Sequence, residues 1–176
     1  MEITKQECLK LINPLLVDSA RDRLMFCLFL FTGEQSKRLR SLKWKDLVDE
    51  NWEVRRAYKL GEHNFIQVCF ELENSILEHL ERSKVYYEVR FGTPLSRNDL
   101  VIYSKTTARG KKMTNQGITT KIIPKWYKIL GIRAKPNTNT LRRMHVSIFQ
   151  EKFNIQDTKK GFGSDVFVDE SQNIFL

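Results

Sequence analysis

The stretch that decides the fold lies at residues 32–47 and reads Thr32-Gly33-Glu34-Gln35-Ser36-Lys37-Arg38-Leu39-Arg40-Ser41-Leu42-Lys43-Trp44-Lys45-Asp46-Leu47. Residues 24–31 precede it as an unbroken apolar run, which predicts a helix buried on all sides. The Thr32-Gly33 pair ends that helix, because glycine readily adopts the left-handed conformation of a helix C-cap. A short third helix is predicted over residues 35–44, with its leucines facing inward and its basic side chains facing outward.

The sequence around this stretch predicts further helices and one hairpin. Upstream, residues 1–16 carry a helical apolar stripe, and Asp18 or Ser19 caps the buried helix. Downstream, apolar side chains alternate over residues 52–58 and again over 66–70. A turn containing glycine separates these two runs, so we expect a β-hairpin.

The second half of the chain predicts three helices, one short strand and one basic loop. Residues 73–90 place Ile76, Leu77 and Leu80 on one helical face. The other elements are a strand at 100–103, a loop at 105–113, a helix from Thr114 or Asn115 to Gly131, and a helix at 141–153. The predicted class is α+β, mainly helical, with a small antiparallel sheet, in a single domain spanning residues 1–176.

The charge balance points to the partner. Thirty lysines and arginines against 21 aspartates and glutamates give a formal net charge of +9, and 41% of the 176 residues are hydrophobic. That apolar content can build a core, and the cationic surplus attracts polyanions, of which nucleic acid is the usual one. Double-stranded DNA is therefore the predicted partner. Solubility alone is the alternative meaning of the charge.

Cysteine usage and apolar runs indicate the compartment. Cys8, Cys27 and Cys69 are far apart and form no CxxC pair, which argues against a disulfide framework and a zinc site. The three histidines are equally scattered, so no metal or other cofactor is predicted. The N-terminus lacks a signal-peptide pattern, and the longest apolar run is too short to span a bilayer. We expect a cytoplasmic protein with no membrane partner and no small-molecule substrate.

Basic residues concentrate in three patches that we expect to contact DNA phosphates. The first lies in the predicted third helix, the second in the basic loop, and the third along the helix that ends at Gly131, opposite an apolar face. Ordinary solvated charge is the alternative for each patch. The candidate DNA-binding residues are Lys37, Arg40, Lys43, Arg109, Lys111, Lys112, Lys121, Lys125 and Lys128.

The order of short motifs resembles the tyrosine recombinases, the phage-integrase and Xer family. The Thr32-Gly33 turn followed by Leu42-x-Trp44-x-Asp46 looks like the family's first conserved box. The hairpin with Tyr58-Lys59-Leu60-Gly61 resembles the β-turn that carries a catalytic lysine. The strand at 100–103, the basic loop and the helix that follows resemble the next segment. Two further stretches, Asn139-Thr140-Leu141-Arg142-Arg143 and Phe162-Gly163-Ser164-Asp165, look like the His-x-x-Arg and Leu-Gly-His-Ser boxes, and Ser171-Gln172-Asn173-Ile174-Phe175 resembles the nucleophile segment.

The resemblance implies a chemistry on DNA. In the family, a tyrosine hydroxyl attacks a phosphodiester, two arginines hold the phosphate oxygens, and a lysine protonates the leaving group. Guanidinium groups suit this task because they match the developing oxygen charge bidentately. Of these positions, Lys59 and Arg142 are retained here, with Arg143 beside the latter, and we expect them to contact phosphate. An ordinary hairpin lysine, and an arginine paired with a carboxylate, are the alternatives.

The remaining catalytic positions depart from the family pattern. Gln35 replaces the first arginine, Asn139 the first histidine and Ser164 the second, while Arg38 stands where a glutamate is usual. Phe175 occupies the nucleophile position and has no oxygen to attack with. Losing one oxyanion donor typically costs roughly a hundred- to a thousand-fold in rate, and losing the nucleophile removes covalent catalysis. These vestigial positions predict a catalytically inactive family member.

The expected fold is thus the catalytic domain of a tyrosine recombinase, without the family's N-terminal core-binding domain. The expected function is a non-cutting DNA-binding protein associated with mobile elements, with other recombinase subunits as a further partner class. Two alternatives stay open. One is an active, divergent integrase whose nucleophile comes in trans or from a longer chain. The other is an interaction module that has kept the fold and lost DNA binding.

Overall fold

The computed structural model describes residues 5–60, 64–105, 108–133, 135 and 145. It confirms the mainly helical α+β class with a small antiparallel sheet. The two strands of the hairpin pair Ala57 with Gln67 and Leu60 with Asn64. The elements are α1 (Lys5–Leu9) with a 3-10 turn (Lys10–Ile12), α2 (Ala20–Thr32), α3 (Ser36–Leu39), α4 (Trp44–Leu47), β1 (Ala57–Leu60), β2 (Asn64–Gln67), α5 (Phe70–Phe91), α6 (Asn115–Gly117), a π-helical turn (Ile118–Ile122) and α7 (Ile123–Leu130).

Helix α2 forms the centre of the core. All of its residues except Arg21 are buried, as its apolar sequence predicts. Ser19 caps it by accepting a hydrogen bond from the Asp22 amide, and Gly33 ends it with a left-handed φ of 62° while donating to the Phe29 carbonyl. Both predicted helix boundaries are therefore confirmed. Gly33 fixes the point at which the chain turns away from α2.

Helix α5 packs along α2 and is three residues longer at its start than the sequence predicts. Ile76 and Leu80 are fully buried against the core, as expected. Leu77 is 41% exposed, so its predicted place on the buried face is wrong. Successive residues on an α-helix are about 100° apart, and the face that buries Ile76 and Leu80 turns Leu77 toward solvent.

The predicted third helix is interrupted. α3 ends at Leu39, and the chain turns before α4 begins at Trp44, although Leu39 and Leu42 are both buried as predicted. The break has a tertiary cause, because the Trp44 amide donates to the Asp99 carbonyl at 3.1 Å. The Lys43 amide donates to the Asp46 carboxylate at 2.7 Å and caps α4. A continuous helix would have used these amides internally.

The strands are shorter than predicted. Trp52 lies outside β1, and Val54 forms only an isolated bridge with Val48. Phe70 starts α5 instead of ending β2. The predicted strand at 100–103 is reduced to two isolated bridges, from Leu100 to Lys43 and from Tyr103 to Lys112. Neither partner belongs to a strand, so no continuous ladder forms.

The predicted helix from Thr114 to Gly131 is confirmed at both ends. Thr114 caps it by accepting from the Gly117 amide at 3.0 Å, and Gly131 ends it with a φ of 68°. The π-helical turn in its middle is not evident from the sequence pattern. It directly precedes Pro124, whose missing N–H leaves the Thr120 carbonyl without an α-helical partner. The predicted helix at 141–153 lies outside the described residues, apart from His145.

Candidate nucleic-acid interface

The turn after α2 is built from buried polar contacts. The Thr32 hydroxyl donates to the Leu28 carbonyl at 2.6 Å and accepts from the Glu34 amide at 3.1 Å. Glu34 is only 3% exposed, and its carboxylate accepts from the Gln35 amide and pairs with Arg38, both at 3.2 Å. The Gln35 side chain is exposed beside this turn. A neutral amide and a carboxylate therefore occupy the surroundings of the first arginine position.

A histidine from a distant part of the chain packs against this turn. A Cβ added at Gly33 would lie 2.5 Å from Cδ2 of His145, so the imidazole packs directly on the glycine. Nδ1 of His145 is 2.7 Å from the Leu30 carbonyl oxygen. In the sequence, His145 follows Arg142 by three residues.

The hairpin approaches the turn from another side. Tyr58 is buried, and desolvation raises the pKa of its hydroxyl well above 10, with the charge of Glu34 among the smaller contributions. The Tyr58 hydroxyl and the Glu34 carboxylate thus influence each other electrostatically. Lys59 follows in β1, but its side chain lies outside the described residues. So do the predicted site residues Asn139, Arg142, Arg143, Ser164 and Phe175.

The first two basic patches form one surface. Arg40 donates to the Met113 carbonyl at 2.9 Å, and the Lys112 ammonium donates to the Ser41 hydroxyl. Lys37, Lys111 and Lys112 are exposed, whereas Arg40 and Lys43 are half-buried. The backbone of Lys43 also bridges to Leu100, and that of Lys112 bridges to Tyr103.

The same surface continues to the start of the third patch. The Ser36 hydroxyl donates to the Asn115 side-chain oxygen at 2.7 Å, which links α3 to α6. Further along, Trp126 packs edge-to-face on Phe26 with a 5.4 Å separation of ring centroids. The predicted apolar side of this helix is thus anchored on α2. Its lysines, Lys121, Lys125 and Lys128, are all exposed.

Arg109, a predicted phosphate contact of the basic loop, is engaged by side chains and backbone of the protein itself. Its guanidinium donates to both carboxylate oxygens of Asp99, at 2.7 and 3.3 Å. It also donates to the Thr93 hydroxyl and to the Pro94 carbonyl, and it lies 5.2 Å from the centroid of the Tyr87 ring. These contacts use four of the five N–H donors of the guanidinium.

Comparison with known proteins identifies the family. Residues 2–163 match the model of the phage integrase family. The chain belongs to that family. The matched span stops before Ser164, so the positions compared with the second histidine and the nucleophile lie beyond it.

The integrase fold is also visible in a solved structure. A crystal structure of XerA recombinase matches with a TM-score of 0.65 and 17% sequence identity over 93% of this chain. This integrase-family chain spans about half the length of that recombinase, covering 56% of it. At this identity the likeness shows a shared fold. No curated protein matches.

All five tyrosines of this integrase-family chain lie in the part that the structure describes. Burial raises the hydroxyl pKa of Tyr58, Tyr87 and Tyr103. Tyr127 is also buried, and the half-buried Tyr86 donates its hydroxyl to the Lys105 carbonyl at 3.2 Å. A nucleophilic tyrosine must reach a phosphate and lose its proton, and burial opposes both for Tyr58, Tyr87 and Tyr103.

Sequence reasoning missed a buried histidine behind the interface. His79 stacks between Trp44 and Tyr103, with ring centroids 5.4 and 5.7 Å away. Its Nε2 lies 2.8 Å from the Val101 carbonyl, and burial lowers its pKa to about 3. A signal was present, because residue 79 follows Ile76 by three positions on the buried face of α5.

The described residues show neither a cluster of metal ligands nor a membrane-spanning helix. Within the described ranges, no group of three or more His, Cys, Asp or Glu side chains could hold a metal ion. None of the helices in those ranges combines the length and apolar character needed to cross a membrane. Cys27 and Cys69 are buried and unbridged, and burial raises the pKa of each thiol to about 12.

Proposed function

We propose that this phage-integrase family member binds double-stranded DNA and does not cut it. One observation carries the proposal. Hydrogen bonds join segments 71 to 79 residues apart, and they assemble the first two basic patches and the start of the third into one surface. A chain that used its charge only for solubility would have no need to gather cations from distant segments on one side.

The electrostatics of this surface suit a duplex. Its exposed cations are ammonium groups on long stems, which reach phosphates without requiring a fixed geometry. DNA carries one charge per about 1.7 Å of helix axis, so a basic surface of this kind displaces several condensed counterions. The proposed contacts are Lys37, Lys43, Lys111, Lys112, Lys121, Lys125 and Lys128, with Lys59, Arg142 and Arg143 as further proposed contacts.

The non-cutting part of the proposal rests on the site's chemistry. Gln35 supplies no positive charge for a phosphate oxygen, and the nearby Arg38 guanidinium is paired with the Glu34 carboxylate. The tyrosines of this sequence are buried or half-buried, and Phe175 has no hydroxyl. Asn139 and Ser164 stand at the two histidine positions. Each change alone lowers the rate, and together they remove both the nucleophile and most of the charge that stabilises the transition state.

A salt titration tests DNA binding. For a fluorescent duplex of about 30 base pairs, we expect log Kd to rise linearly with the logarithm of the salt concentration. Replacing Lys37 and Lys112 by glutamine should lower the slope by about 1.8, since each lost phosphate contact contributes about 0.9. The matched control is Lys84→Gln, a lysine of α5 paired with Glu81 at 2.8 Å, which should leave the slope unchanged.

The third patch has its own test. Lys121→Glu combined with Lys125→Glu should weaken binding and lower the salt slope, because two cations become anions on the exposed side of the helix from Thr114 to Gly131. Unchanged binding would remove this helix from the interface. If the unmodified chain shows no salt-dependent binding, the fold-retaining interaction module becomes the better description.

A suicide substrate tests cutting. A nicked duplex traps the covalent intermediate of an active tyrosine recombinase, because the cleaved fragment diffuses away before religation. We expect no protein–DNA adduct on a denaturing gel. An adduct would establish an active, divergent integrase. A non-cutting member would instead occupy or regulate sites used by mobile elements, alone or with active recombinase subunits.

A further inference from the structure

The segment at residues 108–113 is attached along its length to neighbouring parts of the protein. At one end, Arg109 makes its contacts with Asp99, Thr93 and Pro94. In the middle, the Ser104 amide donates to the Lys111 carbonyl at 3.0 Å. At the other end, the Met113 carbonyl accepts from Arg40 at 2.9 Å. The ammonium groups of the two lysines in this segment depend on these attachments for their position.

Asp99 connects this segment to the rest of the surface. Its side chain accepts from Arg109 and from the Ser96 amide, the latter at 2.7 Å. Its backbone carbonyl accepts from the Trp44 amide at 3.1 Å, next to the first basic patch. The Asp99 side chain is 11% exposed and that of Arg109 is 33% exposed, so the pair is partly shielded from solvent. A bidentate arginine–carboxylate pair fixes the guanidinium plane relative to the carboxylate plane.

We infer that Arg109 is a positioning residue of the proposed DNA surface, held by Asp99, and that it presents Lys111 and Lys112 to the phosphates without contacting them itself. This inference rests on the proposed DNA binding. It replaces the phosphate contact that the sequence suggests for Arg109. Lysine at the same position would keep the charge but lose the planar fork that reaches Asp99, Thr93 and Pro94 together.

The direction in which Asp99→Asn changes DNA affinity distinguishes a positioning role of Arg109 from a phosphate-contacting role. Asp99→Asn removes a negative charge from a protein that binds a polyanion, so a freed, phosphate-contacting Arg109 predicts tighter binding. The positioning role predicts the opposite, a several-fold weaker Kd, because the segment loses its anchor. Asparagine keeps a side-chain oxygen for the Ser96 amide, so the local turn persists. The control is Glu53→Gln, an exposed carboxylate whose removal should leave the Kd unchanged or slightly lower.

Substitution at Arg109 sharpens the test. Arg109→Lys and Arg109→Gln should weaken binding by the same factor, although only the second removes a charge. Combining Arg109→Gln with Asp99→Asn should cost no more than either change alone, because both break one contact. A lysine variant that binds like the unmodified chain, or strict additivity in the double variant, would overturn the positioning role.

A measurement without DNA keeps this inference separate from the proposed function. In Asp99→Asn, amide hydrogen exchange at Ser104 should accelerate about tenfold, while exchange at Val101, which donates to the Leu42 carbonyl at 2.9 Å, should not change. Unchanged exchange at Ser104 would refute the positioning role of Arg109, whatever the DNA result. Faster exchange in a chain that does not bind DNA would support that role and refute the proposed function.

Discussion

The turn at residues 32–35 and the segment at residues 108–113 are held in opposite ways. The turn is fixed by buried contacts, with Thr32 hydrogen-bonded to the end of α2 and Gly33 covered by the His145 ring. The segment is held largely by polar contacts at the surface, made by Arg109 and Lys112. Packing therefore fixes the turn, whereas the position of the segment depends on side-chain contacts near solvent.

The contrast extends to the catalytic position itself. Gln35 is the last residue of the turn and is exposed. Replacing an exposed arginine by glutamine has little consequence for folding, because the side chain packs against little. Replacing Gly33 would have large consequences. The proposed loss of cutting is therefore compatible with the retained fold, and the two kinds of position should respond differently to mutation.

The largest expected effect is on the buried turn. Gly33→Ala should lower the free energy of unfolding by about 3 kcal/mol, from the left-handed φ and the overlap with His145 together. Urea denaturation measures it. Gly92→Ala is the matched control, since its φ is 63° but nothing lies within 4 Å of an added Cβ, and it should cost only about 1 kcal/mol. Equal losses in the two variants would show that the His145 contact has no energetic weight.

The next effect concerns the buried histidine. The pKa of His79 is about 3 in the folded protein against 6.5 when unfolded, so the unfolded chain binds more protons between these values. Stability is therefore fully present above pH 6.5 and falls as the pH decreases toward 3. Between pH 6.5 and 5 the loss should be about 2 kcal/mol.

His79→Gln isolates that contribution. The variant should show a flatter pH dependence of its unfolding midpoint than the unmodified chain over the same range, even if it is less stable at pH 7. Parallel profiles would mean that His79 is not the group that titrates. Acid sensitivity would then have to come from other groups, including those of the exposed surface.

A smaller effect is expected where the buried and exposed regions join. Ser36→Ala removes the hydroxyl that donates to Asn115 at 2.7 Å and should cost about 1 kcal/mol. It should also weaken DNA binding slightly, because α3 and α6 would no longer be linked. Thermal unfolding and a duplex titration measure the two effects. A loss of stability with unaltered binding would show that this link does not organise the surface.

The smallest effect has the opposite sign. The Tyr58 hydroxyl is buried and has no hydrogen-bond partner among the residues that the structure describes. Tyr58→Phe should therefore leave the unfolding free energy unchanged or raise it by up to about 1 kcal/mol. DNA binding should not change. A marked destabilisation would reveal a partner for this hydroxyl and bring the hairpin into the polar network of the turn.

Particular residues show how far sequence reasoning reaches. The buried α2 with its caps at Ser19 and Gly33 follows from composition and local rules, and so do the ends of the helix from Thr114 to Gly131. The break before Trp44 does not, because its amide is captured by a carbonyl 55 residues later, at Asp99. No local pattern reports such a partner.

Local sequence therefore determined the helices, the hairpin, the family resemblance and the loss of charge at Gln35, since these depend on residue type and short spacing. Tertiary structure alone decided which cations share a surface, that Arg109 is engaged by Asp99, and that every tyrosine is withdrawn from full exposure. The physical reason is that hydrogen bonds and burial between distant segments depend on where the folded chain brings them, and this is set by the packing of α2 against its neighbours.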